Sequence, residues 1–114
     1  MPLKVLVVDD DESVRLLLKI ALAMEANCGE IREARDGSHA AAVCRTFTPD
    51  VVVLDYAMPV MDGRAAARII KELHPKARIV VFSGVIEDKP KWADFLVIKG
   101  RAPVQSVIHH TLSA

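Results

Sequence analysis

Asp55 follows four uninterrupted apolar residues, Val51-Val52-Val53-Leu54, so a buried segment delivers a carboxylate to its own end. Asp9 and Asp10 follow the run Val5-Leu6-Val7-Val8, Ser83 follows Ile79 to Phe82, and Lys99 follows Phe95 to Ile98. Carboxylates gathered in one place repel, and at least one then holds its proton to unusually high pH unless a cation intervenes. A hard divalent ion removes that conflict, and Mg2+, which takes one or two carboxylates and keeps water or phosphate oxygens in its other positions, suits such a donor set. With an ammonium from Lys99 and a hydroxyl from Ser83, these are the parts needed for transfer of a phosphoryl group onto Asp55. Each has a plainer reading alone: Asp9 to Glu12 as an acidic helix start, Ser83-Gly84 as a turn, Lys99 as a surface charge. Their occurrence at four separate strand ends carries the inference.

The elements that must position them alternate. Strands are predicted over 3–8, 30–34, 51–54, 78–82 and 95–98, and helices over 12–25, 38–47, 64–74 and 101–112. In the first helix Ser13 is a candidate cap, Val14, Leu17, Leu18, Ala21 and Met24 recur at helical spacing, and Gly29 is a candidate stop. Alternation of this kind predicts an α/β fold, a doubly wound five-stranded parallel sheet with right-handed crossovers. Ligands of such sheets bind outside the carboxyl ends of the strands, where all these polar groups fall. Met58-Pro59 ends the central strand pattern and Asp62-Gly63 turns the chain into the next helix. Only 85–94, with Pro90 inside it, separates the fourth and fifth strands, which is short for a helix and two loops.

With 114 residues, 52% of them hydrophobic, the sequence supports one compact domain over 1–114. Fifteen basic and fifteen acidic residues cancel, which argues against direct nucleic-acid binding or an anionic membrane as the main partner. Apolar runs are far shorter than a membrane span, so a cytoplasmic protein with no membrane partner is expected, its Cys28 and Cys44 reduced. His109 and His110 read as surface or packing residues of the last helix, and Trp92 as a cover over core that a helix would otherwise bury.

The chain resembles the receiver domain of bacterial two-component response regulators, on Val7-Val8-Asp9-Asp10, Pro49-Asp50 through Asp55, Met58-Pro59 and Asp62-Gly63. That resemblance implies a flavodoxin-like receiver fold and assigns Asp55 as phosphoacceptor, Asp9 and Asp10 as the acidic metal pair, Ser83 as the switch hydroxyl and Lys99 as the phosphate-contacting lysine. The backbone carbonyl of Ala57 would complete the Mg2+ site with Asp9, Asp10 and Asp55. The donor would be the phosphohistidine of a histidine kinase or phosphotransfer protein, with hydrolysis resetting the switch and an unknown downstream protein reading it; a homodimer is compatible with this. Such a domain catalyses at most its own phosphorylation and dephosphorylation and is not a conventional enzyme.

Departures from the family pattern cluster after Ser83. Leu96 stands where an aromatic residue is usual three positions before the lysine, and Phe95 should point to the opposite face. Gly100 replaces the usual proline, and Ser83 and Lys99 are only sixteen apart (99 minus 83), so the fourth helix is expected to be shortened or missing. Ala57 and Val85 offer no group to orient water, which implies a phosphorylated state that is not unusually short-lived. Two other readings compete. A receiver-like binding module working without phosphorylation fits the altered region but not the intact acids and lysine. An aspartate-nucleophile phosphatase needs a general acid two residues beyond its nucleophile, and that position is Ala57.

Overall fold

The computed structural model describes residues 2–113. Five strands, β1 (Leu3–Val8), β2 (Cys28–Ala34), β3 (Val51–Leu54), β4 (Arg78–Ser83) and β5 (Phe95–Ile98), alternate with four helices, α1 (Glu12–Ala23), α2 (Gly37–Val43), α3 (Gly63–Leu73) and α4 (Val104–Leu112), except that β5 follows β4 with no helix between them. All strand pairs are parallel and the sheet order is β2-β1-β3-β4-β5, the doubly wound order of flavodoxin-like folds.

Strand alternation divides the core in two. Leu6, Val8, Val52, Leu54, Ile79 and Val81 pack under α2 and α3, against Ala40, Phe47, Ala66 and Ile70. Val5, Val7, Val51, Val53, Val80, Phe82 and Val97 pack on the other face against Leu18 and Leu22 of α1 and Val107, Ile108 and Leu112 of α4. β1, β3 and β4 are apolar on both faces because each face is covered by helix or loop.

Local chemistry sets the boundaries. Asp11, not Ser13, caps α1: its side chain accepts from the Ser13 N–H at 2.8 Å. Asp36 and Asp62 cap α2 and α3 in the same way, from the His39 and Ala65 N–H groups. Leu17 and Met24, placed inward by spacing, are 49% and 79% exposed; Leu18 and Leu22 are the inward side chains. Gly29 is not a stop but lies within β2, whose first residue, Cys28, pairs with Leu3. α2 ends at Val43 and the chain reaches buried Phe47 through successive turns. α4 begins at Val104 rather than 101, because the Arg101 and Ala102 N–H groups turn back onto the Ile98 carbonyl after Gly100, whose φ is +83°.

Residues 84–94 form no helix or strand, so the expected shortening of the fourth crossover is complete. Ile86 and Trp92 from this coil pack onto the α2–α3 core, together with Leu96 from β5. The Trp92 ring stacks on that of Tyr56, with centroids 6.4 Å apart and planes inclined by 13°. Phe95 points to the other face and stacks on His110 at 4.4 Å, giving that histidine a packing role. Both cysteines are free, and burial pushes the Cys44 thiol up to about 11, leaving it inert as a nucleophile.

Candidate functional site: an acidic pocket at the carboxyl edge of the sheet

Val8 of β1 is in register with Leu54 of β3, so Asp9 and Asp55, each the next residue along, emerge side by side. The Asp55 N–H donates to the Val8 carbonyl at 2.9 Å and extends the ladder past both strands. Asp9 is 2% exposed and Asp55 7%, while Asp10 beside them faces solvent. One carboxylate oxygen from each of Asp9, Asp10 and Asp55 lies within 4.8 Å of the others. Ala57 is exposed, two residues beyond Asp55.

Lys99, which follows β5, reaches back across the edge. Its Nζ donates to Asp9 Oδ2 at 2.7 Å and to Asp55 Oδ2 at 3.2 Å. Beneath it lies the Phe82 ring, whose centroid is 5.4 Å from the ammonium. Loss of water pushes the Asp9 carboxyl above its ordinary value, and the neighbouring Asp55 charge adds to this, against the pull of the Lys99 bond and of the Asp11 N–H at 2.9 Å. For Lys99 burial acts downward, but the bond to Asp9 and the charges of both aspartates outweigh it and hold the ammonium protonated. The pocket therefore carries its own counter-ion.

Ser83 is buried at the end of β4 and pairs with Ile98. Its hydroxyl accepts from the Val85 N–H at 3.4 Å, and its carbonyl accepts from the Lys99 N–H at 3.1 Å. Thus Asp9, Asp10, Asp55 and Lys99 meet through side chains, while Ser83 joins them through the backbone of β4 and β5.

Several supporting groups were not legible from spacing. Arg15 on α1 donates to the Asp9 carbonyl at 2.8 Å and to Glu33 of β2 at 2.8 Å, tying the acidic turn to the neighbouring strand. The Gly63 N–H donates to the Tyr56 carbonyl at 2.7 Å. A Cβ on Gly63 would lie 2.7 Å from both the Asp55 carbonyl oxygen and the Tyr56 Cα, so this approach of α3 to the end of β3 requires glycine. In the same loop Val60 has φ +69°, an unusual conformation for a β-branched residue.

An open parallel sheet with three clustered carboxylates and a lysine across its carboxyl edge places the chain in the flavodoxin-like class of α/β domains with an acidic pocket. Residues 5–98 match the family described as Response regulator receiver domain, and the chain belongs to that family. It is 41% identical over 99 residues to protein-glutamate methylesterase/protein-glutamine glutaminase 4 of Geobacter metallireducens, covering 87% of this chain and 28% of that protein. It is 33% identical over 88 residues to the response regulator protein VraR of Staphylococcus saprophyticus, covering 77% and 42%. The chain therefore spans less than half the length of these relatives. Among solved structures it is similar to the response regulator TrrA of Thermotoga maritima in complex with Mg2+-BeF, at TM-score 0.76 and 30% identity, covering 89% of each chain. The response regulator domain of CheB from the same organism has the same fold, at TM-score 0.82 and 23% identity over 96% of this chain and 90% of that one. Among the described residues no helix is long and apolar enough to cross a membrane.

Proposed function

We propose that residues 1–114 act as one receiver domain that takes a phosphoryl group onto Asp55 from the phosphohistidine of a histidine kinase or phosphotransfer protein, and thereby changes its contacts with a downstream protein. The observation that carries this reading is the Lys99 ammonium bridging Asp9 and Asp55 beside a third carboxylate. An Asp55 Oδ attacks phosphorus, a P–O bond forms, and the P–N bond breaks with its electron pair passing to the imidazole nitrogen. Lys99 then transfers hydrogen bonds from the carboxylates to the new phosphoryl oxygens, and the Ser83 hydroxyl donates to another.

The all-oxygen donor set, within 4.8 Å, fits a hard divalent cation. Asp9, Asp10, Asp55 and the Ala57 carbonyl would hold Mg2+, which supplies neutralisation of charge on the transferring group. The Mg2+-BeF complex of the similar TrrA supports this choice of ion.

Incubation with Mg2+ and a small acyl phosphate, followed by intact-protein mass measurement, tests the reading. The expected result is addition of one phosphoryl group to the wild type and none to Asp55→Asn; equal labelling of the two overturns it. A receiver-like module that binds its partner without phosphorylation is the second reading, favoured by the coil that replaces a helix at 84–94. It predicts partner binding unaltered by Asp55→Asn.

A further inference from the structure

We infer that Trp92 is the moving part of the switch: phosphorylation of Asp55 releases its ring from Tyr56 and shifts the 84–94 coil. This rests on the proposed phosphorylation of Asp55. Two connections run from the pocket into the coil, one at each end. At the start, the hydroxyl of Ser83 is held by the Val85 N–H at 3.4 Å, a long contact that yields when the hydroxyl turns toward a phosphoryl oxygen. Near the other end, Trp92 stacks on the side chain of Tyr56, the residue directly after Asp55. An added dianionic group beside Tyr56 therefore disturbs both anchors together.

The coil is built to respond. Among the described residues no helical or strand ladder secures 84–93. Asp94, at the end of the coil, is fixed to β4, its N–H donating to the Ile79 carbonyl at 2.8 Å and its carboxylate accepting from the Ile79 N–H at 2.7 Å. The Arg101–Glu87 ion pair that ties the coil to the segment before α4 joins side chains 64% and 71% exposed, a weak tether. Its Lys89 bonds back within the coil, to the Ala93 carbonyl at 2.7 Å. Apolar anchorage comes from half-buried Ile86 and Trp92 and from buried Ala93. On β5, the residue facing this core is Leu96, which offers no ring to relay a change, and Phe95 faces away. The Tyr56–Trp92 stack is thus the aromatic link between the pocket and this surface.

Trp92 is the single tryptophan, so fluorescence excited at the red edge of its absorption, where Tyr56 does not absorb, reports on it alone. The test compares acrylamide quenching with and without Mg2+ and beryllofluoride, a phosphoryl mimic, in wild type, Asp55→Asn, Tyr56→Leu and Tyr56→Phe. Fluorine NMR of the bound mimic reports occupancy of the pocket independently. Release of Trp92 should raise the quenching constant about twofold in the wild type and in Tyr56→Phe, which keeps a ring. Asp55→Asn should show no change, and Tyr56→Leu should bind the mimic with its quenching already high and unaltered. Bound mimic with unchanged wild-type quenching overturns the inference and leaves the phosphoacceptor reading standing. A wild-type-sized change in Tyr56→Leu also overturns it, and absence of bound mimic sinks both. Should Tyr56→Leu not fold, amide exchange across 84–94 in the wild type decides: faster exchange with the mimic is expected, and unchanged exchange overturns the inference.

Discussion

Lys99 stands closer to Asp9, at 2.7 Å, than to the proposed acceptor Asp55, at 3.2 Å, so the resting lysine is chiefly the partner of a carboxylate proposed to bind the metal. Any divalent cation must share that carboxylate with it. Lys99→Met should destabilise the metal-free protein by about 1–3 kcal/mol, below the figure for a fully buried pair because the lysine side chain is 26% exposed. At ten times its dissociation constant Mg2+ should stabilise the wild type by about 1.4 kcal/mol. At that same Mg2+ concentration the gain should be larger in Lys99→Met and absent in Asp9→Asn. Thermal melts with and without Mg2+ check both, and a smaller gain in Lys99→Met would contradict the competition.

Glu33 gives a pH dependence of known sign. Hydrogen bonds from Lys19 and Arg15 hold its carboxyl below its usual 4.5. The unfolded chain therefore binds that proton more tightly than the folded one. Glu33 contributes stability that is complete above 4.5 and is lost as pH falls through the lowered folded value. Denaturant unfolding across the acid range should show Glu33→Gln with a flatter pH profile than the wild type, the two converging in acid. Parallel curves would refute this.

Gly63→Ala places a methyl group 2.7 Å from two backbone atoms that cannot swing aside. α3 must then move away from the end of β3. A loss of roughly 1–3 kcal/mol is expected, with slower labelling of Asp55 because the strand end moves too. Unchanged stability and labelling would show that the approach is not required.

Val60 is the reverse case. It is 86% exposed and has φ +69°, so its side chain gains little from packing while its backbone is strained. Val60→Gly relieves that strain at the cost of a more flexible unfolded chain, and a net gain of up to about 1 kcal/mol should appear in chemical denaturation. A clear loss would mean that the valine makes a contact worth more than the strain.

Much of this was legible in the sequence because strand ends are. Val51 to Leu54 and Val5 to Val8 are apolar on both faces, which fixes them as central strands, and the acids that follow can only emerge at one edge. The lost helix could be read from chain length between Ser83 and Lys99. Choices between adjacent equivalents were not legible: Asp11 and Ser13 are both good caps, and the leucines of α1 offer more than one possible inner face. Nor were contacts made through space, such as Phe82 under Lys99, Arg15 on the Asp9 carbonyl, or Trp92 on Tyr56, since no spacing rule joins residues from different elements. β2 was read short because its edge position lets polar Glu30 and Arg32 alternate with Ile31.

The coil at 84–94 bears on how the molecule opens. Proteins open in cooperative pieces, and the joints between pieces lie where few backbone hydrogen bonds are protected. Here such a joint falls between β4 and β5, ahead of an outer strand of four residues and the terminal helix. Lys99 rides on the far side of that joint, whereas Asp9 and Asp55 lie on the near side. A partial opening that detaches β5 and α4 would uncouple the ammonium from both acids while the rest of the sheet stays assembled. The pocket's charge balance is thus tied to the two elements that follow the coil.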